Sequence, residues 1–452
     1  MPPGWPATLD LPLGPDLRVL LFTAAAGSIA TLLFGLAPAW RAFTSPAIAP
    51  LRETGTSMPR TRRGTAHALV ATQIALSMAL VTGALILAGH LSKLLNEDLG
   101  FRRQGVLLVS LNPQGSRLDR EQLSQKYRVL LDRLHAIPGV ASATVSAVTP
   151  IAGGAASRFV DVEGHPVDGN DRSRVALNWV APRYFETFAT PIVAGRDFSV
   201  DDAGRPAVAI VNQAFVRHYF GGTNPIGRRL TMERETQTFE IVGVAADAKY
   251  ADLHEPAPRT VYLHAFQNRV FSDFALRTAL PPASLAAIVR RTVADVVPAV
   301  KIAAVTTLDD QLNRSLMIER VMTRVSTSFA LAGALLAALG LYGLLAYTVT
   351  RRTGEIGLRL ALGADRNDIL RLILGGALRL ALVGIAAGVP LAWWTARAGA
   401  RLVPGLTVAS TSTSTSSVAL AAGALVLVAL LAAYLPARRA ARVQPADALR
   451  GI

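Results

Sequence analysis

The chain has 452 residues, about three times a ~150-residue domain, and is 51% hydrophobic with only 17% charged side chains. That balance excludes a disordered chain and is too apolar for a purely soluble one. The formal net charge of +15 points to nucleic acid only if it clusters on a soluble face, and it does not: residues 92–320 hold 27 Lys/Arg and 24 Asp/Glu, so most of the excess lies in the two apolar flanks.

In chain order, five stretches approach the ~20 apolar residues that a helix needs to cross ~30 Å of hydrocarbon. They are residues 19–37, 68–91 (Gln73 its most polar interior residue), 329–349, 380–396 between Arg379 and Arg397, and 418–435. Basic residues orient them. Arg41, Arg52, Arg60, Arg62 and Arg63 follow the first stretch; Arg351, Arg352, Arg359, Arg366 and Arg371 follow the third; Arg438, Arg439, Arg442 and Arg450 follow the last. Residues 1–16 carry no basic group and 402–417 carry no charge. The expected topology puts the N-terminus and residues 92–320 outside and the C-terminus inside. Trp40, Trp393, Trp394 and Tyr434 fall near span ends, as interfacial aromatics do. Asp10 and Asp16 precede the first stretch, so it does not read as a signal peptide. The chain has no Cys, and an outer segment of about 230 residues buries enough core without disulfides.

The first and last stretches end alike. LAPAWRA (36–42) is followed by PAIAPLR (46–52), and LPARRAA (435–441) by PADALR (445–450). This repeat makes the first span the last helix of a preceding module, with spans two to five forming a complete one. In each copy proline is expected to stop or re-aim the helix.

The outer segment alternates strands and helices. Strands are expected at 106–111, 140–148, 207–211, 239–244, 260–263, 274–277 and 301–305, and helices at 120–137, 213–219 and 285–296. Strand–helix–strand near both ends suggests two small α/β lobes with an insertion between. Leu308, Leu312 and Leu316 recur every four residues and suggest a helical stalk running into the third span; residues 92–99 suggest the same after the second.

Among motifs of chemistry, the chain contains no G-x-x-x-x-G-K-[ST], H-E-x-x-H or G-x-S-x-G. Its seven His are scattered without metal spacing, so the expectation is no enzyme, no cofactor and no metal. Asp201-Asp202 and Asp309-Asp310 read as solvated loop and stalk residues, because adjacent side chains point apart. Gly384-x-x-x-Gly388, and Gly333 with Gly340, permit close helix approach. After the third span, residues 350–371 form an amphipathic segment. Glu355 and Arg359, four apart, can pair, and Ile356, Leu360 and Ile369 give an apolar stripe before Gly363-Ala364 breaks the pattern and Asp365 starts a new helix. The stripe suits the membrane surface or a partner's groove, and composition does not separate the two.

The run GLYGLLAYTVTRRTGEIGLRLALGA (340–364) resembles the core motif of FtsX-like/MacB-like ABC transporter permeases, and YLPARRAA (434–441) with PADALR (445–450) resembles their C-terminal motif. In the outer segment, PGV (138–140), VAPRYF (180–185), GRDF (195–198), IVNQAF (210–215), NPIG (224–227) and IVGV (241–244) resemble the MacB-like periplasmic core domain. The likeness covers residues 65–452, and residues 1–64 resemble the end of the first half of a duplicated orphan permease.

The resemblance implies an α-helical transmembrane bundle of about five spans with a large inserted α/β (α+β) extracytoplasmic domain. The expected division is 1–64 as the last helix of a preceding module plus a cytoplasmic linker, 65–91 as a transmembrane helix, 92–320 as the periplasmic core domain with stalk, and 321–452 as the permease C-terminal domain with three transmembrane helices. It also implies a permease subunit in the inner (plasma) membrane that couples ATP hydrolysis by a separate ATP-binding cassette subunit to motion of the outer domain. The task would be export, lipoprotein release or envelope regulation. By motif position Glu355, Gly357, Arg359, Gly363 and Ala364 would be the ATPase-coupling residues. A second permease half or a second copy of the chain, and the lipid bilayer, are the other implied partners; nucleic acid is not. The alternative from another class is a non-transport membrane anchor whose outer domain binds an envelope partner.

Overall fold

The computed structural model describes residues 60–154, 156–164, 174–204, 206–233, 237–268, 270–402 and 411–442, with Leu21, Ala24 and Ser28 near the N-terminus, each of them helical. The remainder of the 19–37 stretch, the 36–52 copy of the repeat and its 445–450 counterpart lie outside the described residues. Contacts divide the chain into residues 1–69 and 70–452, and the account below concerns the second unit.

Helix α1 (Arg60–Asn96) leads into β1 (Val106–Asn112), α2 (Arg120–His135), β2 (Val140–Ser146), β3 (Ala156–Arg158), β4 (Val160–Val162), β5 (Val175–Val180), α3 (Tyr184–Phe188) and β6 (Ile192–Gly195). Then come β7 (Val208–Asn212), α4 (Gln213–Phe220), β8 (Arg229–Met232), β9 (Thr238–Ala245), β10 (Thr260–His264), α5 (Ala265–Asn268), β11 (Asp273–Thr278), α6 (Pro282–Val296) and β12 (Lys301–Thr307). The chain closes with α7 (Leu308–Ser315), α8 (Met317–Arg351), α9 (Thr353–Ala361), α10 (Arg366–Leu402) and α11 (Thr411–Ala440).

Among the described residues twelve strands form one sheet in the order β12-β1-β11-β2-β5-β10-β7-β9-β8-β4, with β3 on β5 and β6 on β9. Sequence order alone suggests two end lobes. In the structure the two ends make one, because β12, β1, β11 and β2 pair antiparallel side by side, with α2 and α6 packed on them in a split βαβ arrangement. The inserted residues build the other half of the sheet. The local reasons are plain for α2, where Asp119 and Gln122 form a reciprocal capping box and Tyr127, Leu130 and Leu134 recur at helical spacing and are fully buried. Burying each such side chain is worth ~1.5–3 kcal/mol.

Among the described residues, four helices are long and apolar enough to cross a membrane: residues 64–96, 317–351, 366–397 and 415–440. Their shared core holds Val70, Ile74 and Met78 of α1, Leu341 of α8, Ile385 of α10 and Leu425 of α11. Small residues bring the helices together. A Cβ added to Gly384 would lie 2.7 Å from Ile74 Cβ, and one added to Gly388 would lie 2.7 Å from Met78 Cβ. On α8, Gly333 and Gly340 face Ser77 and Gln73 of α1, and Ser77 Oγ donates to the Gly333 carbonyl at 2.8 Å.

Several expectations are corrected. Leu308, Leu312 and Leu316 do not continue the membrane helix. Thr307 caps α7, the helix breaks at Leu316, and all three leucines are buried in the outer domain's core with Leu94 and Leu99. Pro436 does not end α11, which runs on to Ala440. The ring removes one hydrogen bond, a loss that membrane helices tolerate where neighbours cover the freed carbonyl; Pro436 is itself buried. Residues 411–417, outside the expected 418–435 stretch, already belong to α11. Asp202 is no solvated loop residue: it is 1% exposed and takes both arms of Arg196 at 2.7 and 2.9 Å.

Candidate coupling site

The amphipathic segment sits at the end of α8 remote from the outer domain. A 35-residue helix spans ~52 Å, about 20 Å more than the hydrocarbon, so α8 has length to spare for a stalk above the bilayer. Arg352 ends α8, and its carbonyl accepts from the Ile356 N–H at 2.9 Å, so α9 follows with almost no loop.

The apolar stripe is satisfied within the bundle. Ile356 is 6% and Ile369 2% exposed, and they close on Ala440 at the end of α11, with Val349, Leu360 and Ile373 around them. The stripe therefore faces neither lipid nor partner. Ala437, Ala440 and Ala441 of the C-terminal motif are all buried, and Ala440 clusters with Ile356, so a larger side chain at 440 would hold α11 off α9. The two motifs, about 80 residues apart in sequence, form one cluster, pinned further by Arg439 Nη1 donating to Tyr342 Oη at 3.1 Å.

What α9 leaves outside is its other face. Glu355 and Arg359 are exposed one turn apart, and Leu358 (52% exposed) and Leu362 (80%) lie beside them at helical spacing. Glu355 pairs with Arg352 at 3.8 Å and not with Arg359, which keeps its guanidinium outward. Both charges of that pair are well exposed, so it holds weakly. Gly357 is buried on the inner face beside Ile356. Gly363 and Ala364 make the corner: Gly363 adopts φ +96, its N–H donates to the Leu360 carbonyl at 3.2 Å, and the Ala364 N–H reaches the Arg359 carbonyl at 3.0 Å. These bonds form a Schellman cap, which requires a left-handed residue at Gly363. Asp365 then starts α10, with the Asp368 carboxylate accepting from the Asp365 N–H at 3.3 Å. The five residues thus play unlike parts. Glu355 and Arg359 share the outer face, Gly357 lies behind it, and Gly363 with Ala364 fixes the turn. Leu358 and Leu362 were legible in the 355/358/359/362 spacing; Ala440 was not, because nothing local links it to α9.

Residues 68–307 match the family model described as MacB-like periplasmic core domain, and residues 327–445 the one described as FtsX-like permease C-terminal. Similar proteins include the Pyoverdine export ATP-binding/permease protein PvdT of Pseudomonas syringae pv. tomato, 28% identical over 68% of this chain and 46% of its own length. The Probable syringafactin export ATP-binding/permease protein SyfD of the same organism is 26% identical over 68% of this chain and 45% of its own. The chain thus spans about half the length of the curated relatives it matches. The periplasmic region of MacB from Actinobacillus actinomycetemcomitans aligns with TM-score 0.33 at 12% identity, covering 48% of this chain and 95% of that one.

Proposed function

The chain belongs to the family of permeases that join a MacB-like periplasmic core domain to an FtsX-like permease C-terminal, and from that premise we propose that it couples a separate ATP-binding cassette subunit to movement of its outer domain. Members of this family are multi-pass inner-membrane proteins with the core domain on the periplasmic side. The observation that carries the proposal is the division of labour on α9. Its apolar stripe is spent on α10 and α11, while Glu355, Leu358, Arg359 and Leu362 are exposed at the cytoplasmic end. Two exposed leucines flanked by opposite charges suit docking in a groove that is apolar at its centre and charged at its rim. A push on that face is carried by the α9–α10–α11 cluster into α8, which reaches the outer domain at its other end.

The relatives named above are, by name, export ATP-binding/permease proteins. A separate cassette ATPase is the partner proposed, and export of a secreted product the task. A second permease half, or a second copy of the chain, would complete the membrane assembly. The test is co-purification of the full-length chain with a cassette ATPase from the same cells, in wild type, E355A and R359E. Loss of association in both variants is expected, and undiminished association would overturn the docking role. Stimulation of ATP hydrolysis in the reconstituted pair separates a coupled permease from a passive anchor, which would give none.

A further inference from the structure

The segment between β9 and β10 touches more of the molecule than a connection needs to. Residues 246–254 run from the sheet to both helices that enter the outer domain from the membrane. At one end, Lys249 is 8% exposed, its ammonium lies 3.1 Å from Glu97 just past α1, and its N–H donates to the Leu99 carbonyl at 2.9 Å. The approach is so close that a Cβ on Gly100 (φ +73) would fall 2.0 Å from the Asp247 carbonyl oxygen. At the other end, His254 Nε2 lies 3.1 Å from Glu319 in the first turn of α8, while its Nδ1 is 2.7 Å from Asp252. The His90 ring of α1 stacks on His254 with centroids 6.1 Å apart. Between the two ends the segment is bolted to the sheet. Tyr250 Oη donates to the Leu177 carbonyl at 2.6 Å, the Tyr250 carbonyl accepts from the Ile151 N–H at 2.7 Å, and Leu253 is 2% exposed in the core shared with Leu94, Leu312 and Leu316.

The two ends differ in quality. Lys249 is a nearly buried ammonium with a carboxylate and a carbonyl as partners, and breaking such a group free is costly. At the histidine end the 3.1 Å approach is not aligned as a hydrogen bond. His254 Nε2, Glu319 Oε2 and His90 Nε2 are all buried without a hydrogen-bond partner among the described residues. Buried polar atoms in that state are uncommon and mark a place where a second arrangement would satisfy them better.

We propose that residues 246–254 form a strap that ties α1 and α8 to each other through the periplasmic sheet, with Lys249–Glu97 as its fixed end and His254–Glu319 as its releasable end. Displacing α8 relative to α1 then pulls on the strand pair β9 and β10 and, through Tyr250, on β5. The strap deepens the mechanical reading above and rests on it for its purpose, but its existence is a property of this chain alone.

The experiment is hydrogen–deuterium exchange of the full-length chain in lipid nanodiscs, for wild type, E319Q and E97Q. A strap relays, so each variant acts at the far end as well as its own. E319Q is expected to speed exchange about tenfold or more at residues 94–100 of the α1 side, and E97Q likewise at residues 317–322 of α8, because coupling between two sites is reciprocal. Exchange confined to the mutated end in both variants would overturn the proposal. Protection of β1 and β11 reports whether a variant has unfolded; should E319Q lose it, E97Q alone decides, and the reverse. A chain that relays but never binds an ATPase keeps the strap and loses the reading of the preceding subsection.

Discussion

Substituting the two glycines of α10 that face α1 tests the packing of the membrane bundle quantitatively. In G384A or G388A the new methyl starts 2.7 Å from a Cβ of α1 and 2.9 Å from a backbone carbonyl, on Ile74 and Ala71 or on Met78 and Ala75. Reaching ordinary contact requires the helices to part by about 0.8 Å, since carbon pairs are comfortable only beyond ~3.5 Å. Overpacking of this kind costs ~1–3 kcal/mol, against which alanine recovers ~0.8–1 kcal/mol of helix propensity over glycine. Gly376 supplies the internal control: it lies on the same helix with nothing within 4 Å of a prospective Cβ, so G376A keeps the propensity gain alone. The difference between G384A or G388A and G376A should therefore be about 1–3 kcal/mol, with the control unchanged or slightly stabilised. Reversible unfolding in bicelles, followed by tryptophan fluorescence, measures it. Should all three variants unfold together, the close approach of α1 and α10 argued here is wrong.

Two further predictions concern the outer domain. His264 is 1% exposed, and burial pulls its imidazole down to about 4, with Asp202 partly opposing and Arg128 assisting. The unfolded chain thus binds more protons than the folded one between about pH 6.5 and pH 4, so this stability is present above pH 6.5 and falls by up to ~3 kcal/mol as pH drops to 4. H264F should flatten that slope in thermal unfolding, and an unaltered slope would place the acid sensitivity elsewhere. L312A empties a 2%-exposed site in the core that α7 shares with Leu94 and Leu99, at a cost of ~2–5 kcal/mol. The melting temperature of the outer domain should fall accordingly.

Much of the fold was legible locally. Strands such as 239–244 and 274–277 and helices such as 120–137 announced themselves by period and by turn residues, and the observed β9, β11 and α2 fall on them within a few residues. Local pattern failed where a long-range partner decided the outcome. The Leu308/Leu312/Leu316 ridge has the spacing of a stalk, and only the presence of Leu94, Leu99 and the sheet makes it core. The stripe of α9 could serve lipid, partner or neighbour until Ala440 and Ile369 closed on it. His90, His254 and Glu319 show no spacing at all, and meet because α1, the β9–β10 segment and α8 converge at one place.

By itself the sequence determined the class, the four long apolar helices among the described residues, the periplasmic side of the core domain and the family, because hydropathy, terminal arginines and turn chemistry act over a few residues. The tertiary structure decided which faces are free. It joined the two ends of the outer domain into one lobe, spent the stripe of α9 inside the bundle and exposed Leu358 and Leu362. It also turned a β9–β10 connection into a bridge between two membrane helices. The physical reason is that burial and charge pairing depend on which residues meet, and residues 97 and 249, or 254 and 319, meet only once the whole chain has folded.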